Sequence, residues 1–393
     1  MTKILMLLAQ NDINTDPRVS KAFQSATDHG YEVKVCCYMR YDESVYSKNV
    51  DRIRMLFSRN IGTYKKIKDA YVDEKIRTKV HKRTPLFGVL ATLVMLSIHP
   101  VDIFFKSKYF KPDIVHVNDL NTLLSGVMFK IFCGSKLIYD SHELWVDMIY
   151  AHPLCIRKAI TWYEKFLIQY ADEVITVNNL IAKELVERYG ILTPHVVMNV
   201  PYLQSVNLEP HTGVKVIYQG KYDSDRYLEN VVRGAQYFLP GITLTMRGVG
   251  DYGETLKKCV QSNNVEFIPP VTMDKLVQSL SGFDIGVATG AYKQGKNGEF
   301  ASPNKMFEYM MAGLAVVGNT SPVIQYMITT SDSGIVFDGG NPKDFARAIN
   351  EIASDTVRMN EMKRNGIVYT TEHYCWEKEQ AKLITVYNTC ELS

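Results

Sequence analysis

The sequence contains no CxxC pair and no cysteine–histidine cluster at metal-ligand spacing. Its seven cysteines (Cys36, Cys37, Cys133, Cys155, Cys259, Cys375 and Cys390) are scattered and odd in number. Several stand in apolar runs such as Val35–Tyr38, where a free cysteine is a small buried hydrophobe. A disulfide framework and a structural zinc site are therefore excluded, and a reducing compartment is expected. A strong charge of one sign is missing too: 45 Lys and Arg against 42 Asp and Glu leave +3, which does not point to nucleic acid. The uncharged run Pro85–Ile98 has fourteen residues, short of the roughly 20 that a spanning helix needs. The N-terminal run is shorter still and meets Gln10-Asn11-Asp12 without a small-residue cleavage site, so it reads as a buried first strand rather than a signal peptide. No solenoid repeat or low-complexity tract is present.

What the chain does have is 393 residues with 46% apolar and 22% charged, enough for two or three globular domains with cores. Short apolar runs alternate with amphipathic stretches, the pattern of βα units and a mainly parallel sheet. Strands are expected in the first half at residues 4–9, 32–38, 53–57, 113–117, 136–139, 173–177 and 195–198, with helices at 19–29 and 181–189. After a stretch of weak periodicity, strands return at residues 214–218, 243–247, 265–268, 284–288, 315–318 and 334–337. Helices are expected between them at 228–238, 252–261, 273–280, 303–312 and 342–353. The fold class is α/β with two Rossmann-like doubly wound domains. Residues 1–200 form the first, 201–213 a linker, 214–375 the second, and 376–393 a C-terminal helix crossing back to the first.

Residues 61–83 carry eight cations against three carboxylates and precede the run 85–98. One reading is a solvated basic helix followed by a buried one. The other is a basic and apolar patch resting on anionic lipid.

The most informative window is Glu299-Phe-Ala-Ser-Pro-Asn-Lys-Met-Phe-Glu308, running on to Gly313. Ser302 suits an N-cap, Pro303 the first helical position and Gly313 the end. A helix start presents free N–H groups and positive dipole to a diphosphate. Lys305 and Glu308, three apart, share a face; the carboxylate can accept two ribose hydroxyls while the lysine offsets phosphate charge. The alternative is an exposed salt-bridged helix, but the glycine-bearing loop 289–298 opens after a strand end, where ligands bind in α/β folds. Tyr218-Gln-Gly-Lys221 through Arg226 also follows a strand. Gly220 allows a tight turn, and Lys221 and Arg226 supply the two cations that a departing nucleoside diphosphate needs. Asp223-Ser-Asp225 has the DxD form of some metal sites, yet acidic turns are common by chance. In the first half, His116-Val-Asn-Asp119 and Asp140-Ser-His142-Glu143 end successive strands. His142 can polarise a sugar hydroxyl or be a satisfied core histidine; Asp140 or Glu143 can be an acceptor-side base or a helix cap. Arg247-Gly-Val-Gly250 is a weak GxG signal.

These segments resemble glycosyltransferase family 4. The resemblance is carried by Asp16-Pro-Arg18-Val19, Tyr139-Asp-Ser-His-Glu143, Ala171–Val177, Asn199-Val-Pro201, Gln219-Gly-Lys221 through Asn230, and Ser302 through Gly313. It implies a GT-B architecture, two Rossmann-like domains facing a cleft, and metal-independent, retaining sugar transfer from a nucleotide donor by front-face attack. By position it implies Glu308 on the ribose, Lys221 and Arg226 on the diphosphate and His142 at the reacting sugar; the helix-face reading adds Lys305 to the diphosphate, and Glu299 is expected to reach the sugar if its loop bulges. Arg18, Asp119, Asp140, Glu143, Gly220, Ser302, Pro303 and Asn304 then line the donor and acceptor region. The family's first motif glutamate would fall at Phe300, so Glu299 is displaced by one, and the first βα loop (10–17) lacks the usual paired glycines.

The expected function is a hexosyltransferase using a UDP- or GDP-type sugar, with no cofactor and no metal. Its acceptor would be a glycan or lipid-linked glycan in surface polysaccharide or glycoconjugate synthesis. A cytoplasmic protein is expected, with peripheral contact to an anionic membrane as the sharper reading. The alternatives are an epimerase-like GT-B enzyme acting on a UDP-sugar and a non-catalytic nucleotide- or glycan-binding subunit.

Overall fold

The computed structural model describes residues 1–7, 16–38, 50–53, 85–207, 209–292 and 295–392. The basic stretch 61–83, most of the first βα loop and most of the strand expected at 53–57 lie outside them. The chain divides into two compact units, Met1–Val197 with Gln380–Ser393, and Met198–Glu379.

The first unit holds a parallel sheet of β1 (Lys3–Leu7), β2 (Glu32–Tyr38), β3 (Val50–Ile53), β4 (Ile114–Asn118), β5 (Lys136–Ser141), β6 (Glu173–Thr176) and β7 (His195–Val196). Its seven strands run in the order β3-β2-β1-β4-β5-β6-β7. The second unit holds β8 (Val214–Gln219), β9 (Ile242–Arg247), β10 (Val265–Ile268), β11 (Ile285–Ala288), β12 (Ala315–Asn319) and β13 (Gly334–Phe337). These six are ordered β10-β9-β8-β11-β12-β13, all parallel. The strand order reverses at β1/β4 and again at β8/β11, the two doubly wound switch points beside which α/β folds bind ligands. All residues of β4, β11 and β12 are buried, as parallel strands covered on both faces require.

The helices of the first unit are α1 (Pro17–Asp28), α2 (Pro85–Ser107), α3 (Leu120–Cys133), α4 (Leu154–Ile168) and α5 (Asn179–Tyr189). In the second unit α6 (Leu228–Gly234), α7 (Asn304–Met311), α8 (Pro342–Ser354) and α9 (Thr356–His373) matter most; α10 (Trp376–Leu392) ends the chain. Asp16 caps α1 by accepting from the Arg18 and Val19 amides, with Pro17 at the start, and this fixes the direction of Arg18.

Four expectations change. The helix at 273–280 is two short 3₁₀ turns, Met273–Lys275 and Gln278–Leu280. The loop 289–298 contains a helical turn, Gly295–Glu299. Residues 201–213 lie along the second unit: Leu203 N donates to the Glu377 carboxylate, Gln278 Nε2 to Ser205 O and Glu209 N to Ser281 O. The run 85–98 is the start of a longer helix, and Val89–Phe110 is long and apolar enough to cross a membrane by length and composition. That helix also packs inward through Leu96, Ile103 and Phe104, and Ser125 of α3 donates to its Pro100 carbonyl.

In the second unit, Phe345 on α8 is fully buried, with ring centroids 5.1 Å from Phe337 and 5.7 Å from Phe238. Phe345→Ala should destabilise this unit by about 3–5 kcal/mol; chemical denaturation monitored by circular dichroism measures it.

Candidate functional site

In the second unit the chemistry gathers where β8 ends. Gln219 closes the strand and Gly220 turns the chain at φ +141°, a conformation that disfavours any side chain. A β-carbon on Gly220 would lie 2.8 Å from Lys305 Nζ, so the glycine leaves room for the ammonium. Lys305 reaches in from the first turn of α7 and sits 3.9 Å from the Tyr218 ring centroid, a cation–π contact. Lys305 is 8% exposed, and its Nζ has no hydrogen-bond partner among the described residues. Burial, then the nearby Arg226 guanidinium, push its pKa well below the usual lysine range; Glu308 and Asp223 oppose this weakly. A buried amino group without an acceptor marks a place for an anion.

Glu308, one turn on, faces the same strand end and accepts a 2.6 Å hydrogen bond from Gln219 Nε2. Tyr309 OH accepts from the Gln219 amide at 2.8 Å. These two contacts moor α7 to β8. Lys221, 70% exposed, lies 3.0 Å from Asp223, and Arg226 Nε lies 3.7 Å from the other oxygen of that carboxylate. The Lys221 contact is exposed on the lysine side and worth little, while Arg226 and Asp223 are both partly buried. Three basic side chains therefore surround one strand end, and among the described residues Lys221 and Arg226 share one carboxylate partner, Asp223. Of the DxD, Asp223 is engaged by Lys221 and Arg226, and Asp225 is buried. The Arg247–Gly250 loop carries more weight than its sequence suggested. A β-carbon on Gly248 would lie 1.9 Å from Gly220 O, and Gly220 N and Tyr222 N donate to Arg247 O and Val249 O.

Not every residue of the window behaves as expected. Pro303, not Ser302, occupies the cap of α7, and Asn304 begins the helix. Pro303 keeps an extended ψ of 120° while its carbonyl accepts the first helical bond, and no side chain caps the end. Gly313 does end the helix, at φ +77°. Glu299 ends the turn 295–299 with its side chain exposed, and Ser321 Oγ donates to its carbonyl at 3.0 Å.

In the first unit, Arg18 donates from Nε and Nη2 to both oxygens of Asp140 at 2.8 Å, with both residues buried. Its Nη1 donates to Val197 O. His116 Nε2 lies 3.3 Å from Asp140 and its Nδ1 2.8 Å from the Tyr387 hydroxyl of α10. Burial works against the Asp140 charge, but Arg18, His142 and the histidine hydrogen bonds hold its carboxyl well below the usual range. A carboxylate so committed is neither a base nor a cap, which corrects both expectations for Asp140. Glu143 is exposed and does not cap the following turn, Trp145–Met148, whose cap position is Leu144.

His142 is the accessible end of this network, with its side chain 15% exposed. Nε2 lies 3.1 Å from Asn118 Oδ1 and 3.4 Å from Asp140; Nδ1 lies 3.7 Å from Asp119. Asp119 has φ 64° and ψ 167°, a glycine-type conformation that costs a non-glycine residue about 1–3 kcal/mol. It is held by donation from the His142 amide to Oδ1 and by its own amide donating to Asp140 O. Burial disfavours the imidazolium, but Asp119 and Asp140 outweigh it and raise His142 to about 9. At neutral pH it is a cationic donor, not a base. Tyr218, Gln219, Tyr309, Asn118 and Tyr387 were not foreseen as site residues; Tyr218, Gln219 and Asn118 sit at strand ends, Tyr309 beside Glu308 on α7 and Tyr387 on the last helix.

Because its folded pKa lies above the unfolded value, His142 contributes stability that is complete below about pH 6.5 and lost as pH rises through 9. An NMR titration should show a midpoint near 9, and His142→Gln should remove up to about 3 kcal/mol of pH-dependent stability across that window. Arg18→Ala leaves Asp140 buried and unpaired and should cost about 3–5 kcal/mol in unfolding free energy.

The sequence model for Glycosyltransferase Family 4 matches residues 22–199, and that for Glycosyl transferases group 1 matches residues 216–355. No curated protein matches the chain. Among solved structures, sucrose-phosphate synthase from Thermosynechococcus elongatus is similar over 99% of both chains, with 15% identity and a TM-score of 0.74. HepE from Anabaena in complex with UDP-glucose is similar over 99% of this chain and 100% of its own, with 12% identity and a TM-score of 0.70. S. aureus TarM, solved with UDP, gives 99% and 100% coverage, 11% identity and a TM-score of 0.65. The two family matches follow one another along the chain on a pair of Rossmann-like sheets, and the protein is a glycosyltransferase of the family 4 type with the GT-B fold.

Proposed function

We propose that the second unit binds the nucleoside diphosphate of a sugar donor at the end of β8, and that the enzyme transfers the sugar with retention and without a metal. The observation that carries the reading is Lys305: a buried amino group with no hydrogen-bond acceptor among the described residues, beside a glycine turn and one helical turn before Glu308. A diphosphate would give Lys305 its missing partner and draw Lys221 and Arg226 away from Asp223. Glu308 would accept the ribose hydroxyls in place of the Gln219 amide group. Charge grows on the diphosphate as the glycosidic bond breaks, so cations fixed beforehand stabilise the transition state more than the ground state. In the first unit, His142 would donate to a sugar hydroxyl as an imidazolium.

UDP is the proposed nucleotide, supported by similar structures that hold UDP or UDP-glucose. The proposed acceptor is a glycan or lipid-linked glycan in surface polysaccharide assembly. Similarity to a lipopolysaccharide core galactosyltransferase, WaaB, supports this at the level of fold. The corresponding location is the cytoplasmic face of a membrane, with peripheral attachment.

UDP should raise the thermal midpoint more than GDP or ADP. Lys305→Met and Glu308→Ala should each abolish that shift and cut transfer about 10²–10³-fold. Unchanged turnover in both variants across a panel of donors would remove the assignment.

A further inference from the structure

Helix α4 buries Ile160, Leu167 and Ile168 together with one carboxylate. Its acidic residue, Glu164, is 1% exposed and accepts from the hydroxyls of Tyr139 at 2.8 Å and Tyr189 at 2.7 Å. Its outward positions carry Leu154 at 63% exposure, Trp162 at 68% and Phe166 at 50%. These recur at helical spacing with Lys158 and Lys165, both exposed. Trp162 and Phe166 stack on each other with centroids 5.9 Å apart and rings inclined by 11°. Neither lysine has an ion-pair partner among the described residues, and this face of α4 carries no carboxylate. The turn before it adds exposed Tyr150 and Met148. Tyr163 donates to Leu96 O of α2, a helix that exposes Leu90 and Leu93.

A soluble surface helix places its apolar residues inward and mixes charges outward. Here the outward face combines tryptophan, phenylalanine and leucine with cations alone. That is the composition of a helix lying in a bilayer interface, with aromatic rings at headgroup depth and lysines toward anionic lipid. We infer that α4 is the membrane-docking face of the first unit and that its occupant is an anionic bilayer. The absence of any carboxylate on the face argues for this occupant. The inference deepens the membrane attachment proposed above and rests on that part of the reading, but not on the donor site.

The chain carries its own probe. Of three tryptophans, Trp145 and Trp376 are buried and Trp162 is exposed. With full-length protein at low salt, vesicles of phosphatidylglycerol and phosphatidylcholine should shift the emission to the blue, and brominated lipid should quench it. Pure phosphatidylcholine should do neither. Trp162→Ser/Phe166→Ser should weaken vesicle co-sedimentation about tenfold or more. Lys158→Glu/Lys165→Glu should abolish the preference for anionic lipid. Thermal midpoints of the variants without ligand verify folding. Vesicle binding that leaves Trp162 unshifted and unquenched, or that survives both double substitutions, would overturn the inference. So would a dimer that Trp162→Ser/Phe166→Ser dissociates in the absence of any vesicle binding. Loss of the UDP-induced thermal shift is read separately and bears on the donor site alone.

Discussion

Lys305 carries its amino group into the end of β8, where it meets a tyrosine ring and a glycine turn but no acceptor among the described residues. Desolvating an amino group without a partner works against the folded state. The surrounding structure is arranged to hold it there all the same. Gln219 binds Glu308 and Tyr309, which fixes α7 against the strand. Gly220 and Gly248 let two loops approach at backbone distance. An anion bound there would recover what folding leaves unsatisfied, and the proposed diphosphate site rests on that.

The first unit solves the opposite problem. Asp140 is buried, paired with Arg18 and in contact with His116 and His142, and His142 is the accessible end of the network. Asp119 completes the arrangement from a backbone conformation that glycine normally adopts. A buried ion pair is a poor source of net stability. Its value here is positional: two carboxylates at successive strand ends hold one imidazole charged and oriented. The hydroxyl of Tyr387 ties the chain's last helix into the same network through His116.

Much of this was legible in the sequence because parallel strands buried on both faces leave continuous apolar runs, and doubly wound order follows from their alternation with helices. Gly220 and His142 were legible as candidates because each sits just beyond such a run, and Lys305 and Glu308 because they are three apart on one helix. The cap of α7 was misread by one residue, since Ser302 and Pro303 each suit the role and only the backbone at Pro303 decides. Asp140 looked like a base because nothing in the local sequence announces Arg18, 122 positions away. Gln219 and Tyr309 escaped notice for the same reason: their contacts join segments about 90 residues apart. The outward face of α4 was missed because a stretch with Trp162, Phe166 and Leu154 reads as core until Glu164 is seen to be the buried side.

The central claim is that the buried amino group of Lys305 awaits a diphosphate. Calorimetry of UDP binding in buffers of different ionisation enthalpy, across about pH 6 to 10, tests it directly. If Lys305 has a lowered pKa when free and gains an anionic partner when bound, binding takes up a proton over part of that range. Lys305→Met abolishes the uptake. Binding of UDP with the same proton balance in the wild-type protein and in Lys305→Met would contradict the account.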